Sequence, residues 1–186
     1  MGEISPDGRW VVMARNNSNA DSDLFLTDLS AADPAPVNIT VHEGDISHGS
    51  YAFSADSTRL IYATNEFGEF NQAWAYDLAS GEREVLIAAD WDVSYVNYSP
   101  SGRYRVSGTN VDASTVVSIV DTTTGEALKL ASLPLGDIGQ VRFSRDEKTI
   151  AFGLNSDTAP YDLYVCLLYT SPSPRDVEES RMPSSA

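Results

Sequence analysis

Four copies of one turn constrain this chain more than any other feature. The first reads Ser5-Pro6-Asp7-Gly8-Arg9-Trp10 and the second Ser54-Ala55-Asp56-Ser57-Thr58-Arg59-Leu60. The third reads Ser99-Pro100-Ser101-Gly102-Arg103-Tyr104 and the fourth Ser144-Arg145-Asp146-Glu147-Lys148-Thr149-Ile150. Each is a polar turn that runs into strand-forming residues. Proline presets φ early in such a turn, aspartate or serine bonds the backbone ahead, and glycine takes a positive φ. The serines stand 49, 45 and 45 residues apart. A period of about 45 residues in an all-strand pattern is the signature of propeller blades.

The segments between the turns fill out that period. Trp10–Arg15 and Asp23–Asp28 read as strands of the first repeat, with Val37–Val41 as its outer strand. The strand before the first turn is expected to be missing, apart from Ile4. In the second repeat the expected strands are Tyr51–Phe53, Leu60–Thr64, Ala73–Tyr76 and Glu84–Ile87. In the third they are Tyr95–Tyr98, Tyr104–Gly108, Val116–Val120 and Ala127–Leu130. The fourth offers Val141–Phe143, Ile150–Leu154 and Asp162–Val165. Such β-branched and aromatic runs, separated by Gly- and Asp-containing turns, predict one sheet per repeat. No stretch carries sustained helical periodicity. A single four-stranded sheet cannot bury both of its faces, so radial packing of several is the expected architecture, ahead of a β-sandwich.

The formal net charge of −15, from 27 acidic and 12 basic residues, argues against nucleic-acid binding and against docking to anionic lipid. No run approaches the roughly 18 apolar residues of a membrane span. The start, Met1-Gly2-Glu3-Ile4, shows neither a basic nor an apolar leader region. The chain reads as beginning inside a blade, so a signal peptide cannot be assessed, and either the periplasm or the cytoplasm of a bacterium fits. Cys166 is the sole cysteine, which excludes an internal disulfide and a multi-cysteine metal site.

Residues 166–186 leave the repeat. Asp28, Asp77 and Asp121 follow their turn serines by 23, 23 and 22 residues, but Cys166 and Leu167 stand where the fourth repeat needs an aspartate. The stretch Cys166-Leu167-Leu168-Tyr169-Thr170-Ser171-Pro172-Ser173-Pro174-Arg175-Asp176 resembles the translation of a transposon-end sequencing adaptor. Ser180-Arg181-Met182-Pro183-Ser184-Ser185-Ala186 is similar to the flow-cell adaptor that follows it in frame, with Val177-Glu178-Glu179 between them as an index. The expectation is a natural polypeptide that ends near Val165, a fragment of a longer frame, and a tail that is irregular or weakly packed.

The residues offer little chemistry. Gly44-Asp45-Ile46-Ser47-His48-Gly49 is one residue too long for the Gly-x-Ser-x-Gly elbow and no helix follows it, so it reads as an inter-blade loop. His42 and His48 lack the glutamate of a zinc-protease helix and a third ligand. Glu66 and Glu69 stand in a hairpin loop, where they could hold a substrate amine or simply be solvated; the solvated reading fits ordinary glutamates better. Trp91, between Asp90 and Asp92, reads as packing between blades rather than as a ligand platform. Asn38-Ile39-Thr40 matches a glycosylation sequon, a weak pattern. No phosphate loop, dinucleotide fingerprint or Cys-x-x-Cys is present. No catalytic, cofactor-binding or metal-binding residue is assigned, and no cofactor is expected.

The repeated turn, with Asp77-Leu78-Ala79-Ser80-Gly81-Glu82 after its second copy, resembles the WD40-like blades of TolB-type propellers and of the N-terminal propeller of prolyl-oligopeptidase-family serine peptidases. Three stretches lean toward the peptidases. Thr64-Asn65-Glu66-Phe67-Gly68-Glu69-Phe70 before Trp74-Ala75-Tyr76-Asp77-Leu78 is similar to a loop and strand of one such blade. Ala89-Asp90-Trp91-Asp92-Val93 and Leu133-Pro134-Leu135-Gly136-Asp137-Ile138-Gly139 are similar to the approaches to the next two. The resemblance covers roughly residues 4 to 165.

In that family a propeller caps an α/β-hydrolase domain, restricts access to peptides and leaves Ser, Asp and His to the other domain. The resemblance therefore implies an all-β, partial β-propeller of about three and a half four-stranded blades. Residues 1–165 would form it, with blades over about 4–45, 46–90, 91–135 and 136–165, and 166–186 would be a non-native tail. It implies a non-catalytic, substrate-gating role, with the C-terminal α/β-hydrolase domain of the same parent chain and peptide substrates as partners. The alternative is a TolB-like or WD40-like scaffold for protein–protein interaction. An open stack has unpaired edges at both ends, so poor solubility or marginal stability is expected of it alone.

Overall fold

The computed structural model describes residues 2–130, 135–157 and 159–168, and these are all-β. Four antiparallel sheets follow one another along the chain. Blade 1 comprises β1 (Gly2–Ile4), β2 (Trp10–Asn16), β3 (Ser22–Asp28) and β4 (Val37–Asn38), in that order across the sheet. Blade 2 comprises β5 (His48–Phe53), β6 (Arg59–Thr64), β7 (Gln72–Asp77) and β8 (Arg83–Ile87), again in sequential order. Blade 3 has β9 (Val93–Tyr98), β10 (Tyr104–Val111) and β11 (Ser114–Asp121). In blade 4 the inner strand is split into β12 (Asp137–Ile138) and β13 (Arg142–Phe143). Both halves pair with β14 (Thr149–Ser156), whose other side takes β15 (Ala159–Leu167). Among the described residues no helix is long and apolar enough to cross a membrane.

The turn serine closes the hairpin in every blade. Ser5 N donates to Trp10 O at 2.9 Å while Trp10 N donates to Ser5 Oγ at 2.8 Å. Arg59 N, Tyr104 N and Thr149 N likewise donate to the hydroxyls of Ser54, Ser99 and Ser144. Three of the serine hydroxyls donate in turn to the aspartate two residues on: Asp7, Asp56 and Asp146. In blade 3 Ser101 takes the aspartate's place, and its hydroxyl accepts Arg103 N.

Strand register makes the repeats superimposable residue by residue. Trp10 lies opposite Asp28, Arg59 opposite Asp77, Tyr104 opposite Asp121 and Thr149 opposite Leu167. One residue further, the amides of Leu29, Leu78, Thr122 and Leu168 donate to the carbonyls of Arg9, Thr58, Arg103 and Lys148. Asp28, Asp77 and Asp121 each accept backbone amides of the turn that follows. Leu167 occupies the fourth such place without a carboxylate.

The core lies between blades. Val12, Leu24 and Leu26 of blade 1 meet Phe53, Leu60 and Tyr62 of blade 2. Ala73 and Ala75 of blade 2 meet Val93 and Val96 of blade 3. Tyr95, Val106 and Ile119 of blade 3 meet Ile138, Val141, Ile150 and Phe152 of blade 4. Burying one such leucine or isoleucine is worth about 2 kcal/mol, so these seams hold the stack together.

Four sequence expectations need correction. The strand before the first turn is present: β1 pairs Gly2 with Met13 and Ile4 with Val11. The outer strand of blade 1 pairs only at Val37 and Asn38, because Asn38 and Thr40 bend inward to bond Asp23 and the Leu24 amide. In blade 3 the expected outer strand Ala127–Leu130 shrinks to one bridge, Val120 with Ala127, and the bond from Leu128 N to Ile119 O. Finally, β15 does not stop at Val165. Cys166 and Leu167 pair with Ile150 and Thr149, since backbone pairing tolerates almost any β-compatible side chain. Residues 169–186 lie outside the described residues.

Candidate functional site

A polar cluster sits at one end of the seam between blades 1 and 2. It is assembled by the last residues of β2, the first of β3, the segment after β4, the start of β5 and the loop after β6. These segments meet because the loops from β2 to β3, β4 to β5 and β6 to β7 all leave the sheets on the same side.

Ser22 and His48 fasten the two blades. Ser22 Oγ donates to His48 O at 2.8 Å and accepts His48 N at 2.7 Å, and Ser22 N donates to Ile46 O at 3.0 Å. His48 Nδ1 lies 2.8 Å from Ser22 O. A carbonyl oxygen only accepts, so Nδ1 carries the proton and Nε2 is left as an acceptor. The His48 side chain is fully buried, Nε2 has no hydrogen-bond partner, and the nearest carboxylate oxygen is Glu66 Oε2 at 3.7 Å. Burial holds the His48 pKa below its ordinary value, with Ser22 O acting in the opposite direction.

His42 is set up in the opposite sense. Its Nδ1 donates to Thr40 O at 2.6 Å and its Nε2 faces Asp21 Oδ1 at 2.9 Å, with Asp23 Oδ1 3.8 Å from Nδ1. The Thr40 carbonyl raises its pKa, opposed by burial and reinforced by Asp21 and Asp23. The two rings lie 4.9 Å apart at 42°. The structure thus pairs a histidine biased toward imidazolium with one biased toward neutral imidazole.

Carboxylates surround the pair. Asp23 accepts from Asn17 and Asn38 and from Arg15 at 2.7 Å, which pulls its pKa down to about 2. Glu66 forms an ion pair with Arg83 at 2.9 Å. Tyr62 OH, beneath that pair, is buried without a hydrogen-bond partner, and burial raises its pKa. A cleft of about 270 Å³, lined by Arg15, Asn17, Asp21, Asp23, Asn38 and His42, opens beside the cluster.

This arrangement can clamp two blades; it does not present a nucleophile to a base. The Ser22 hydroxyl is engaged with the His48 backbone, and His48 Nδ1 donates to the Ser22 carbonyl rather than accepting from its hydroxyl. Among the described residues no group of three or more His, Cys, Asp or Glu is placed to hold a metal ion. The structure brings His42, His48 and Glu66 together, and Glu69 is exposed. Ser47 lies in the β4–β5 connection, its amide donating to Asn65 Oδ1 at 2.9 Å. Trp91 is 41% exposed and stands 6.0 Å from Phe70, while Asp92 accepts Asn71 N at 2.7 Å. The amide of Asn38, the sequon residue, is bonded to Asp23. Sequence reading missed Ser22, Asp21 and Asp23 as partners of the histidines, and no local signal joins residues that meet only across a seam.

The fold defined by these sheets is that of consecutive β-propeller blades. It is similar to TolB from Acinetobacter baumannii, at 19% identity and a TM-score of 0.65, over 90% of this chain and 40% of that one. It is also similar to a prolyl endopeptidase from a study of inter-domain dynamics, at 16% identity and a TM-score of 0.71, over 90% of this chain and 24% of that one. Prolyl oligopeptidase B from Galerina marginata, in a complex with a 35mer hydrolysis and macrocyclization substrate, gives 15% identity and a TM-score of 0.73 over 94% of this chain and 24% of its own. The chain thus spans well under half the length of each of these three proteins. No family model matches the sequence, and no curated protein matches it at a significant level.

Proposed function

We propose that the chain is the non-catalytic, substrate-gating propeller portion of a prolyl-oligopeptidase-like serine peptidase that acts on short peptides. The observation that carries this reading is the likeness of its blades to those of prolyl oligopeptidases, at TM-scores of 0.71 to 0.73. The stretches Thr64–Phe70, Ala89–Val93 and Leu133–Gly139 add a resemblance in sequence to the blades of that family. The parent would cleave peptides by acyl transfer from a serine in a separate α/β-hydrolase domain, its partner in the same chain. The blades would act by steric filtering and by packing against that domain. In the same reading residues 166–186 are adaptor-derived. The pairing of Cys166 and Leu167 in β15 is compatible with that origin, because it uses backbone atoms alone.

A second reading is a TolB-like scaffold for protein–protein interaction. The likeness to TolB at the higher sequence identity of 19% favours it. Long-read sequencing of the source locus past the Val165 codon separates the two. More blades followed by Gly-x-Ser-x-Gly, an aspartate and a histidine support the peptidase. The expressed full frame should then hydrolyse a chromogenic prolyl peptide and lose that activity when the elbow serine becomes alanine. A frame that closes the propeller and stops overturns the peptidase reading. Genomic confirmation of residues 166–186 overturns the adaptor reading.

A further inference from the structure

The arginines of this chain settle repeatedly into one arrangement. Arg9, Arg15, Arg83 and Arg103 lie over the rings of Trp10, Phe25, Phe67 and Tyr104, at 4.7 to 5.9 Å from the centroids. Each of the four is also paired with a carboxylate, that of Asp28, Asp23, Glu66 or Asp121, at 2.7 to 2.9 Å. The ring face attracts the guanidinium through its quadrupole, and the carboxylate accepts its N–H groups. Phe70 and Trp91 bring together the same ingredients. Their rings lie 6.0 Å apart, tilted by 33°, and Trp91 is open to solvent. Glu69 and Asp90, both exposed, stand next to these rings in sequence. Among the described residues no arginine or lysine lies over either ring. The two rings sit on different loops, which are tied together. Asn71 N donates to Asp92 Oδ1 at 2.7 Å, Val93 N to Asn71 O at 2.8 Å and Gln72 Nε2 to Trp91 O at 3.3 Å. The platform is therefore fixed before anything binds to it.

We propose that Phe70 and Trp91, with Glu69 and Asp90, form an interaction surface for an arginine side chain of a partner polypeptide. The guanidinium lies over the Trp91 ring and pairs with the flanking carboxylates. The occupant follows from charge complementarity and from the chain's own usage: four times over, the cation that this protein sets against a ring and a carboxylate is an arginine. The net charge of −15 draws a basic segment toward the surface, and added salt weakens that approach. Both loops lie inside the chain, between β6 and β9, and β7 and β8 connect them within blade 2. An exposed contact of this kind is individually weak, so the surface suits a transient encounter with a basic segment rather than a permanent one. This inference does not rest on the peptidase reading.

The test is a nuclear magnetic resonance titration of the nitrogen-15-labelled 186-residue chain with the acetylated, amidated peptide Gly-Arg-Gly-Arg-Gly. Its control is the same peptide with citrulline, a neutral isostere, in place of both arginines. The chain has three tryptophans, so the indole signal that Trp91→Ala removes is that of Trp91. The arginine peptide should shift that signal and the amides of Phe70 and Asp92 saturably, while the indoles of Trp10 and Trp74 stay in place. The citrulline peptide should shift none of them. Trp91→Ala keeps the net charge, and should weaken binding read at the Phe70 and Asp92 amides about three- to fivefold. Should that variant fail to fold, Glu69→Gln with Asp90→Asn should weaken binding at least about twofold more than Glu3→Gln with Asp33→Asn, an equal loss of charge elsewhere on the surface. No saturable shift, an equal response to the citrulline peptide, or an affinity unchanged by Trp91→Ala would overturn the proposal.

Discussion

Ile119 and Val165 occupy the same place in the repeat, and their surroundings could hardly differ more. Ile119 in blade 3 is covered by Ile138, Val141 and Phe152 of the next blade. Val165 in blade 4 faces outward, two-thirds exposed. The backbone around both is the same antiparallel pair, β10–β11 in one case and β14–β15 in the other. The comparison teaches that a blade's hydrogen bonds are its own but its hydrophobic stabilisation is shared with its neighbours. Stability in such a stack is a sum over seams.

The sharpest way to break this view is to truncate equivalent residues. Leu24→Ala, at the fully buried seam of blades 1 and 2, should cost about 3 kcal/mol in urea unfolding, through lost burial and a cavity. Val165→Ala, at a position 66% exposed, should cost under about 0.5 kcal/mol in the same measurement. Similar costs at the two positions would contradict this view.

The next largest effect concerns the turns. Gly8 and Gly102 both have positive φ, +73° and +78°. A Cβ at Gly8 would meet nothing within 4 Å, whereas a Cβ at Gly102 would overlap that of Ala55 in the turn of blade 2. Gly8→Ala should therefore cost about 1 kcal/mol for backbone strain alone. Gly102→Ala should cost about 2 kcal/mol or more, as the steric clash adds to that strain. Equal losses in thermal or urea unfolding would show that the turns of blades 2 and 3 do not touch.

The two non-glycine turns give a subtler contrast. Ser57 and Glu147 stand at the glycine position with φ of +56°. Each has a side chain that reaches the turn of the preceding blade. Ser57 Oγ accepts Asp7 N at 3.1 Å, and Glu147 accepts Ser101 N at 2.7 Å and Ser101 Oγ at 2.8 Å. The strained backbone is thus offset by a bond between blades. Glu147→Ala keeps the strain and loses the bonds, while Glu147→Gly loses both. The glycine variant should be the more stable by about 1 kcal/mol.

Acidity probes the clamp of blades 1 and 2, with the smallest expected effect. His48, whose pKa is lowered on folding, contributes stability above its unfolded pKa, about 6.5, and that contribution falls away as the pH drops below it. His42, whose pKa is raised, contributes below about 6.5 and loses that contribution as the pH rises through its folded value. Asp23 contributes above its unfolded value near 4 and loses it as the pH falls toward about 2. The groups that face the pair are Asp21, Asp23, Glu66, Arg83, Tyr62 and Arg15. His48→Asn, which can keep a donor toward Ser22 O, should flatten the fall in stability between pH 7 and pH 5. An unchanged slope would remove His48 from the account.

Much of this fold was legible in the sequence because the period is carried by side chains that act locally. The serine hydroxyl, the aspartate two residues on and the aspartate closing the third strand each bond their own turn. What stayed hidden acts across seams. Ser57 and Glu147 look like decayed glycines until the neighbouring turn is in view. His42 and His48 look like separate loop residues until Ser22, Asp21 and Asp23 arrive from another blade. The three-residue β1 escaped because Gly2 and Glu3 carry no strand preference of their own; Met13 and Val12 opposite them supply the template. The outer edge of blade 3 was overread because Ala127–Leu130 has the right composition but only one residue forms a bridge.

Amide hydrogen exchange tests most directly that seams, not strands, hold the molecule together. The account predicts the slowest exchange in β6 and β7, which are covered on both faces, and markedly faster exchange in β15, although its ladder to β14 is longer than that between β6 and β7. Equal protection of β15 and β6 would show that each blade is stable by itself and would contradict the account.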